Sequence, residues 1–340
     1  MNRHFIGLSL LACVMAPLFV ACGEDDENDS PDDISISQGL IEATQRYEDI
    51  YPFSDNMAAV IIGDKYGYIN DNGKEVIKVE LEFFDKDAES GESTIGSFHQ
   101  GLAPVAKKVG EAKDSLGTPE LAYGFINKKG ETVVPFQYSE VIGFFDGLWW
   151  VKNDSITAYL DSKGKPASYQ TPSFASQYDY VGPFYGGLAL VKKESPKFQG
   201  FVDKDGNVII DCSKYGLVNH FSNGLAAVTT EEVVGRTDTH VIIGFIDKKG
   251  KLVIPIEYRS PYTEVEPEFE KNVFSDGFCL MEEGYLGKDN KWAFKQPAGV
   301  TFLTGFSQGL ALISKDGHMG FMNRRGDTTF EGLKIEKAQD

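Results

Sequence analysis

The stretch Asp203-Lys204-Asp205-Gly206 sets two carboxylates one residue apart before a glycine, a pattern that suits oxygen coordination of a calcium ion. No glutamate follows at the distance a calcium loop needs, and Asn127-Lys128-Lys129-Gly130 stands in a parallel place with lysine for the second acid. A plain turn is therefore expected. The histidines beyond residue 21, His99, His220, His240 and His318, have no second ligand at metal spacing, so neither a metal nor a cofactor is expected. No Gly-x-Ser-x-Gly elbow, phosphate loop or Cys-x-x-Cys occurs. The 51 acidic residues allow many carboxylate pairs of the kind that hydrolyse glycosides, yet no pair stands out from its surroundings, and no catalytic residue is expected. Trp149-Trp150 is the strongest binding candidate. Neighbours on a strand face opposite ways, so one indole must leave the core, where it could stack on a sugar ring or a peptide or lodge between structural units.

The elements that must carry these residues are repeats. Gly124-Phe-Ile-Asn-Lys-Lys-Gly130 returns as Gly67 to Gly73, Gly200 to Gly206, Gly244 to Gly250 and Gly320 to Gly326, with looser copies read at Ala158 to Gly164 and Ala293 to Gly299. Each copy reads as a strand, a turn whose Asn or Asp folds back on the backbone, a charged solvated tip such as Lys128-Lys129, and a closing glycine with positive φ. An aliphatic pair such as Val133-Val134 then opens a return strand. Upstream stands Phe-x-x-Gly-Leu-Ala-x-Val, as in Phe98 to Val105, and before it Tyr-x-x-aliphatic-x-x-Phe, as in Tyr138 to Phe144. Alternating aliphatics after a glycine turn read as a half-buried strand.

Successive leading phenylalanines lie 45, 46, 40, 37, 53 and 32 residues apart, about 42 on average. That length suits three or four short antiparallel strands, and no sustained helical period is present. The expected fold is all-β: seven repeats forming a β-propeller-like ring, or an open β-repeat superhelix. Extra residues at 107–121, 229–240 and 282–291 read as lengthened hairpin loops on one face, a candidate binding rim or plain surface elaboration.

These motifs resemble the WG-repeat family, whose unit pairs Gly-hydrophobic-Ala-x-Val with Trp-Gly-[Phe/Tyr]-Ile-[Asp/Asn]-x-x-Gly and a following Val-Ile-Pro. The resemblance runs from Tyr47 to Leu333. In place of the family's Trp this chain has Tyr66, Tyr123, Gln199, Ile243 and Met319, with Trp292-Ala293 as the one tryptophan pair. Membership implies a binding or scaffold role and no shared catalytic residues.

Residues 1–21 read as a secretory leader, with Arg3 and His4 before an apolar run too short to span a bilayer. Phe19-Val20-Ala21-Cys22 resembles a lipobox, which would make Cys22 the lipidated residue. Seven carboxylates in Gly23–Asp33 make an acidic tether, similar to the surface-export signal of Bacteroidetes lipoproteins. The domains expected are thus the leader at 1–21, a tether and lead-in at 22–46, the repeats at 47–334 and a tail at 335–340. The formal charge of −18 argues against nucleic acid and anionic lipid as partners. Cys212 and Cys279 fall in different repeats and read as buried free thiols rather than a bridge. Together these features suggest a monomeric, noncatalytic domain that touches the outer membrane only through its lipid and binds a protein or glycan. A secreted hydrolase on a propeller-like scaffold and an envelope spacer without a specific ligand are the alternatives.

Overall fold

A computed structural model describes residues 34–339, apart from 85–93, 111–119, 154–155, 235–237 and 260–271. The leader, Cys22 and the acidic run lie outside the described residues. The chain divides into two compact units, one holding Ser37–Ser168 and the other Tyr169 onward together with 34–36.

The first unit opens with α1 (Gln38–Arg46), within the expected lead-in. Ser37 caps it: its Oγ accepts from the Leu40 N–H at 3.1 Å, satisfying one of the donors a helix start leaves free. Three sheets follow. The first is β1 (Asp49–Ile50), β2 (Met57–Ile62), β3 (Lys65–Asn70) and β4 (Glu75–Glu82). The second is β5 (Leu102–Gly110), β6 (Glu120–Asn127) and β7 (Thr132–Tyr138). The third is β8 (Glu140–Phe145), β9 (Leu148–Asn153), β10 (Ile156–Leu160) and β11 (Pro166–Ala167).

The second unit holds four more. They are β12 (Tyr180–Tyr185), β13 (Leu188–Lys193), β14 (Phe198–Val202) and β15 (Val208–Asp211); β16 (Val218–Ser222), β17 (Leu225–Val234), β18 (Asp238–Asp247) and β19 (Leu252–Arg259); β20 (Phe278–Met281), β21 (Gly284–Gly287) and β22 (Trp292–Lys295); and β23 (Val300–Phe302), β24 (Leu310–Lys315) and β25 (His318–Asn323). The fold is all-β, and each of these seven sheets is an antiparallel meander of three or four strands, the blade unit of a β-propeller.

One contact recurs between successive repeats. The aromatic of the Gly-aromatic-aliphatic strand packs on the leading Phe of the next repeat: Tyr68 on Phe98 at 4.9 Å, Phe201 on Phe221 at 4.5 Å, Phe245 on Phe274 at 4.8 Å and Tyr285 on Phe306 at 4.7 Å. Such pairs contribute about 0.5–1.5 kcal/mol each beyond their area burial. The aliphatic pair splits between faces, with Val133 39% exposed and Val134 2%, as alternation along β7 requires.

The turn chemistry is the same in six repeats. Asn127 Oδ1 accepts from the N–H groups of Lys129 at 2.9 Å and Glu131 at 3.1 Å, and the side chains of Asn70, Asp161, Asp203, Asp247 and Asn323 do the same in theirs. Gly130 closes its turn at φ +80°. The opening glycine has a different reason: a Cβ on Gly124 would lie 2.6 Å from the Val134 carbonyl oxygen, where the return strand presses in at a register shift. Ala158 is tolerated at that place because its short return strand pairs only from Tyr159 onward.

The sixth repeat corrects the sequence reading. Its hairpin is Gly284-Tyr-Leu-Gly287-Lys-Asp-Asn290, not Ala293 to Gly299, which covers the end of the return strand and the turn after it. The Asx position is Gly287, and Asn290, at φ +62°, closes the turn in place of glycine. Six copies therefore keep the closing glycine, not seven. Residues 282–291 are the repeat hairpin itself and no insertion, because β20 turns into β21 through Glu282-Glu283. Trp292 accordingly sits on a return strand, 5.6 Å from Tyr258, and not in the family's Trp-Gly position.

Candidate functional site

β9 places the two tryptophans on opposite faces of the third sheet. Trp149 is 2% exposed and packs against Phe125 at 5.0 Å, Phe144 at 5.1 Å and the His99 ring at 5.4 Å. It does for the third repeat what the leading Phe does elsewhere. Its Nε1 is buried without a hydrogen-bond partner, so this position is selected for packing volume. Trp150 lies on the other face, half-buried, edge-on to Tyr159 at 5.1 Å and Phe145 at 5.6 Å. Trp150, not Trp149, is thus the member of the pair with any surface to offer.

His99 and His220 belong to the packing. His99 stacks on Phe144 at 5.4 Å with 9° between the planes, and its Nδ1 lies 3.4 Å from Ser54 Oγ. His220 stacks on Tyr185 at 4.3 Å. Burial pushes both imidazoles down to about 4, so they stay neutral. Asp203 is a turn residue: Oδ1 takes two backbone N–H groups and Oδ2 the Asn207 side-chain amide at 2.9 Å, bonds that hold its carboxyl below its ordinary range. Among the described residues no three His, Cys, Asp or Glu side chains are grouped to hold a metal. Cys212 and Cys279 are free and buried, and burial pushes the Cys212 thiol up to about 12.

Sequence reasoning missed the clasp that joins one repeat to the next. In the first unit Ser54 Oγ donates to the Phe98 carbonyl at 2.7 Å, and Asp55 accepts from the Gly101 N–H and pairs with Lys128 at 2.7 Å. In the second, Ser222 Oγ donates to the Phe274 carbonyl at 2.6 Å, while Asn223 and Asp276 accept from the N–H groups of Gly277 and Gly309. Lys128 is therefore not a solvated tip residue. The signal was present, since Ser and then Asp or Asn follow the leading Phe at 53, 221 and 274.

The described parts of the insertions, 107–110 with 120–121 and 229–234 with 238–240, extend the strands that flank them, and 111–119 and 235–237 lie outside the described residues. Past the last residue that pairs with a third strand, β17 and β18 continue as a two-stranded ribbon through Glu231–Val241, Glu232–His240, Val233–Thr239 and Val234–Asp238. β5 and β6 do the same beyond Tyr123, ending at Gly110–Glu120.

Fold and turn chemistry together define an all-β repeat protein built on an Asx-glycine hairpin. A protein-family model described as the WG containing repeat matches residues 45–66, 66–89, 123–155, 174–195, 200–232 and 243–260, and the chain belongs to that family. Its last two sheets lie beyond the matched segments. No curated protein matches. Among solved structures, the chain is similar to a eukaryotic initiation factor (11% identity, TM-score 0.32, covering 87% of this chain and 67% of that one). It is also similar to regucalcin, a calcium-binding protein of Agrobacterium tumefaciens (13%, 0.25, 53% and 66%), and to a protein of unknown function from Bacteroides caccae (11%, 0.22, 60% and 79%).

Proposed function

We propose that this WG-repeat chain is a noncatalytic scaffold that binds a protein or glycan, held on the outer face of the outer membrane by a lipid on Cys22. The observation that carries the binding reading is the pair of ribbons that extend β5–β6 and β17–β18 past their sheets. A two-stranded ribbon is marginal by itself in water, so residues spent on projecting one serve contact rather than stability. The repeat core supports the same division of labour. Its Asx side chains are used by turns, its clasp residues by the neighbouring repeat, and its two stacked histidines by packing. Trp150 adds a half-buried aromatic edge to the surface available for contact.

The test is affinity capture from host and envelope extracts, together with an array of defined glycans, using the mature chain and a variant with the β17–β18 ribbon shortened. Partners held by the wild type and lost by the variant are expected. Identical recovery would contradict the role of that ribbon, and hydrolysis of an arrayed glycan would favour the enzyme instead. Cys22→Ser is expected to move the protein from the membrane fraction to the soluble fraction of its host; unchanged membrane association would contradict the anchor.

A further inference from the structure

The second unit includes residues 34–36 of the lead-in, and the seventh repeat holds them. Its Asx residue, Asn323, is fully buried; Nδ2 donates to the Ile34 carbonyl at 2.9 Å while Oδ1 still accepts the two N–H groups of its turn. Arg325 Nη2 donates to Ser35 Oγ at 3.3 Å, and a Cβ on Gly309 would lie 3.3 Å from Ile34 Cγ1. This docking needs an amide. The carboxylates of Asp203 and Asp247, in the same place of their repeats, accept the turn bonds but cannot donate to a carbonyl.

Gly309 precedes β24, whose first residue Leu310 pairs with Asn323, the last of β25, so the lead-in is fixed at that end of its sheet. The clasps carry this end across the unit. Asn223 accepts the Gly277 N–H and Asp276 the Gly309 N–H, which sets the turns before β17, β20 and β24 in one row. β17 leaves that row at Leu225 and runs about 30 Å to Val234, which pairs with Asp238 at the far end of the ribbon. Ile34 stands twelve residues after Cys22, a reach of at most about 40 Å. A bilayer excludes the folded chain, and a lipid on Cys22 would pull on this unit only at the row of turns, which favours the arrangement with that row inward.

We propose that the docked lead-in orients the chain on its membrane, with the clasp turns of the second unit toward the bilayer and the β17–β18 ribbon away from it. The ribbon then takes a partner from the surrounding medium, not one embedded in the same membrane. This orientation rests on the lipid reading of Cys22 given above. The test uses the lipidated full-length chain on phosphatidylcholine vesicles whose outer leaflet carries a headgroup-labelled acceptor lipid. A donor dye is placed at Asp238→Cys, where β18 starts, or at Lys249→Cys, in the turn that follows it. Cys212 and Cys279 are buried and Cys22 carries the lipid, so the dye goes to the introduced thiol. The dye at Lys249→Cys is expected to transfer more energy to the lipid than the dye at Asp238→Cys. Ile34→Gly/Ser35→Gly, which leaves every repeat as it is, and Asn323→Asp, which keeps the turn acceptor and removes the donor, should each abolish most of that difference. Each variant is first checked for a cooperative melt; if Asn323→Asp lacks one, the lead-in variant decides alone. On a lipidated, vesicle-bound chain, equal transfer from the two sites, or a difference that the folded variants leave untouched, would overturn the orientation and leave the anchor standing. A chain whose mass shows no lipid on Cys22 and that stays off the vesicles would overturn the anchor and the orientation together.

Discussion

Lys128 Nζ reaches Asp55 Oδ1 at 2.7 Å across 73 residues of sequence, and the same carboxylate accepts the Gly101 N–H. One side chain of the first repeat thus holds two parts of the second: the turn before β5 and the tip of the β6–β7 hairpin. Asp276 repeats the arrangement toward Gly309, with the charge of Arg324 acting on it. Asn223 keeps the hydrogen bond to Gly277 without a charge.

That comparison predicts a graded response at Asp55. Asp55→Asn keeps an acceptor for Gly101 and loses only a partly exposed ion pair, so it should cost less than about 1 kcal/mol. Asp55→Ala strands the Gly101 N–H and should cost about 1–3 kcal/mol. Urea denaturation of the two variants checks the order; equal losses would mean that the ion pair, not the backbone bond, is the clasp.

Gly130 is constrained twice. Its φ of +80° disfavours any Cβ, and a Cβ there would meet Ile77 Cγ2 of the first repeat at 3.4 Å. Gly130→Ala should cost about 1 kcal/mol from the backbone alone. Gly130→Val adds two methyls against Ile77 and should cost about 2–4 kcal/mol. Equal denaturation midpoints for wild type and Gly130→Val would count against the turn geometry.

Acid should destabilise the fold in a defined window. The folded-state values of His99 and His220, about 4, lie below the ordinary 6.5, so between these values the unfolded chain binds more protons. Their contribution is complete above about pH 6.5 and is lost as pH falls toward 4, at about 1.4 kcal/mol per pH unit for each histidine. His99→Gln/His220→Gln should flatten the stability curve between pH 6.5 and 4, whatever its level at pH 7. Asp203, whose folded value is lowered, loses its contribution only further into acid, which separates the two effects. A curve equally steep in the double variant would contradict the buried-histidine account.

The tryptophans should behave oppositely. Trp149→Ala empties a site packed by Phe125, Phe144 and His99 and should cost about 3–5 kcal/mol. Trp150→Ala removes a half-buried ring and should cost less, while weakening whatever the third sheet contacts. Melting curves of the two variants, with partner capture for Trp150→Ala, decide the assignment; a larger loss from Trp150 would reverse it.

What was legible in the sequence was whatever local chemistry dictates. An Asx residue three places before a glycine, after Gly-aromatic-aliphatic, specifies its hairpin whatever lies around it; five turns follow that rule and a further one follows it with Ala158 for the opening glycine. The sixth repeat escaped because Gly287 carries no side chain to mark the turn and Asn290 adopts the positive φ usually left to glycine, while Ala293-Phe294 and Gly299 imitate the motif nearby. Tyr285 packing on Phe306 restores the true register, but that is a contact between repeats. The Asp55–Lys128 pair was invisible for the same reason: it depends on what the neighbouring repeat brings to it. Trp149 and Trp150 were separable only as a pair, since alternation shows that they part but not which one faces inward.

The central claim is that the repeats carry stability and the ribbons carry contact. Replacing residues 231–241 by Asn-Gly joins Thr230 to Ile242, an opposed pair in the β17–β18 ladder, through a two-residue turn. The most direct measurement is the Tm and the partner recovery of this variant beside the wild type. The account predicts a Tm within about 2 °C of the wild type, equivalent to about 1 kcal/mol in a chain this size, with recovery lost. A collapsed Tm, or full recovery of every wild-type partner, would contradict it.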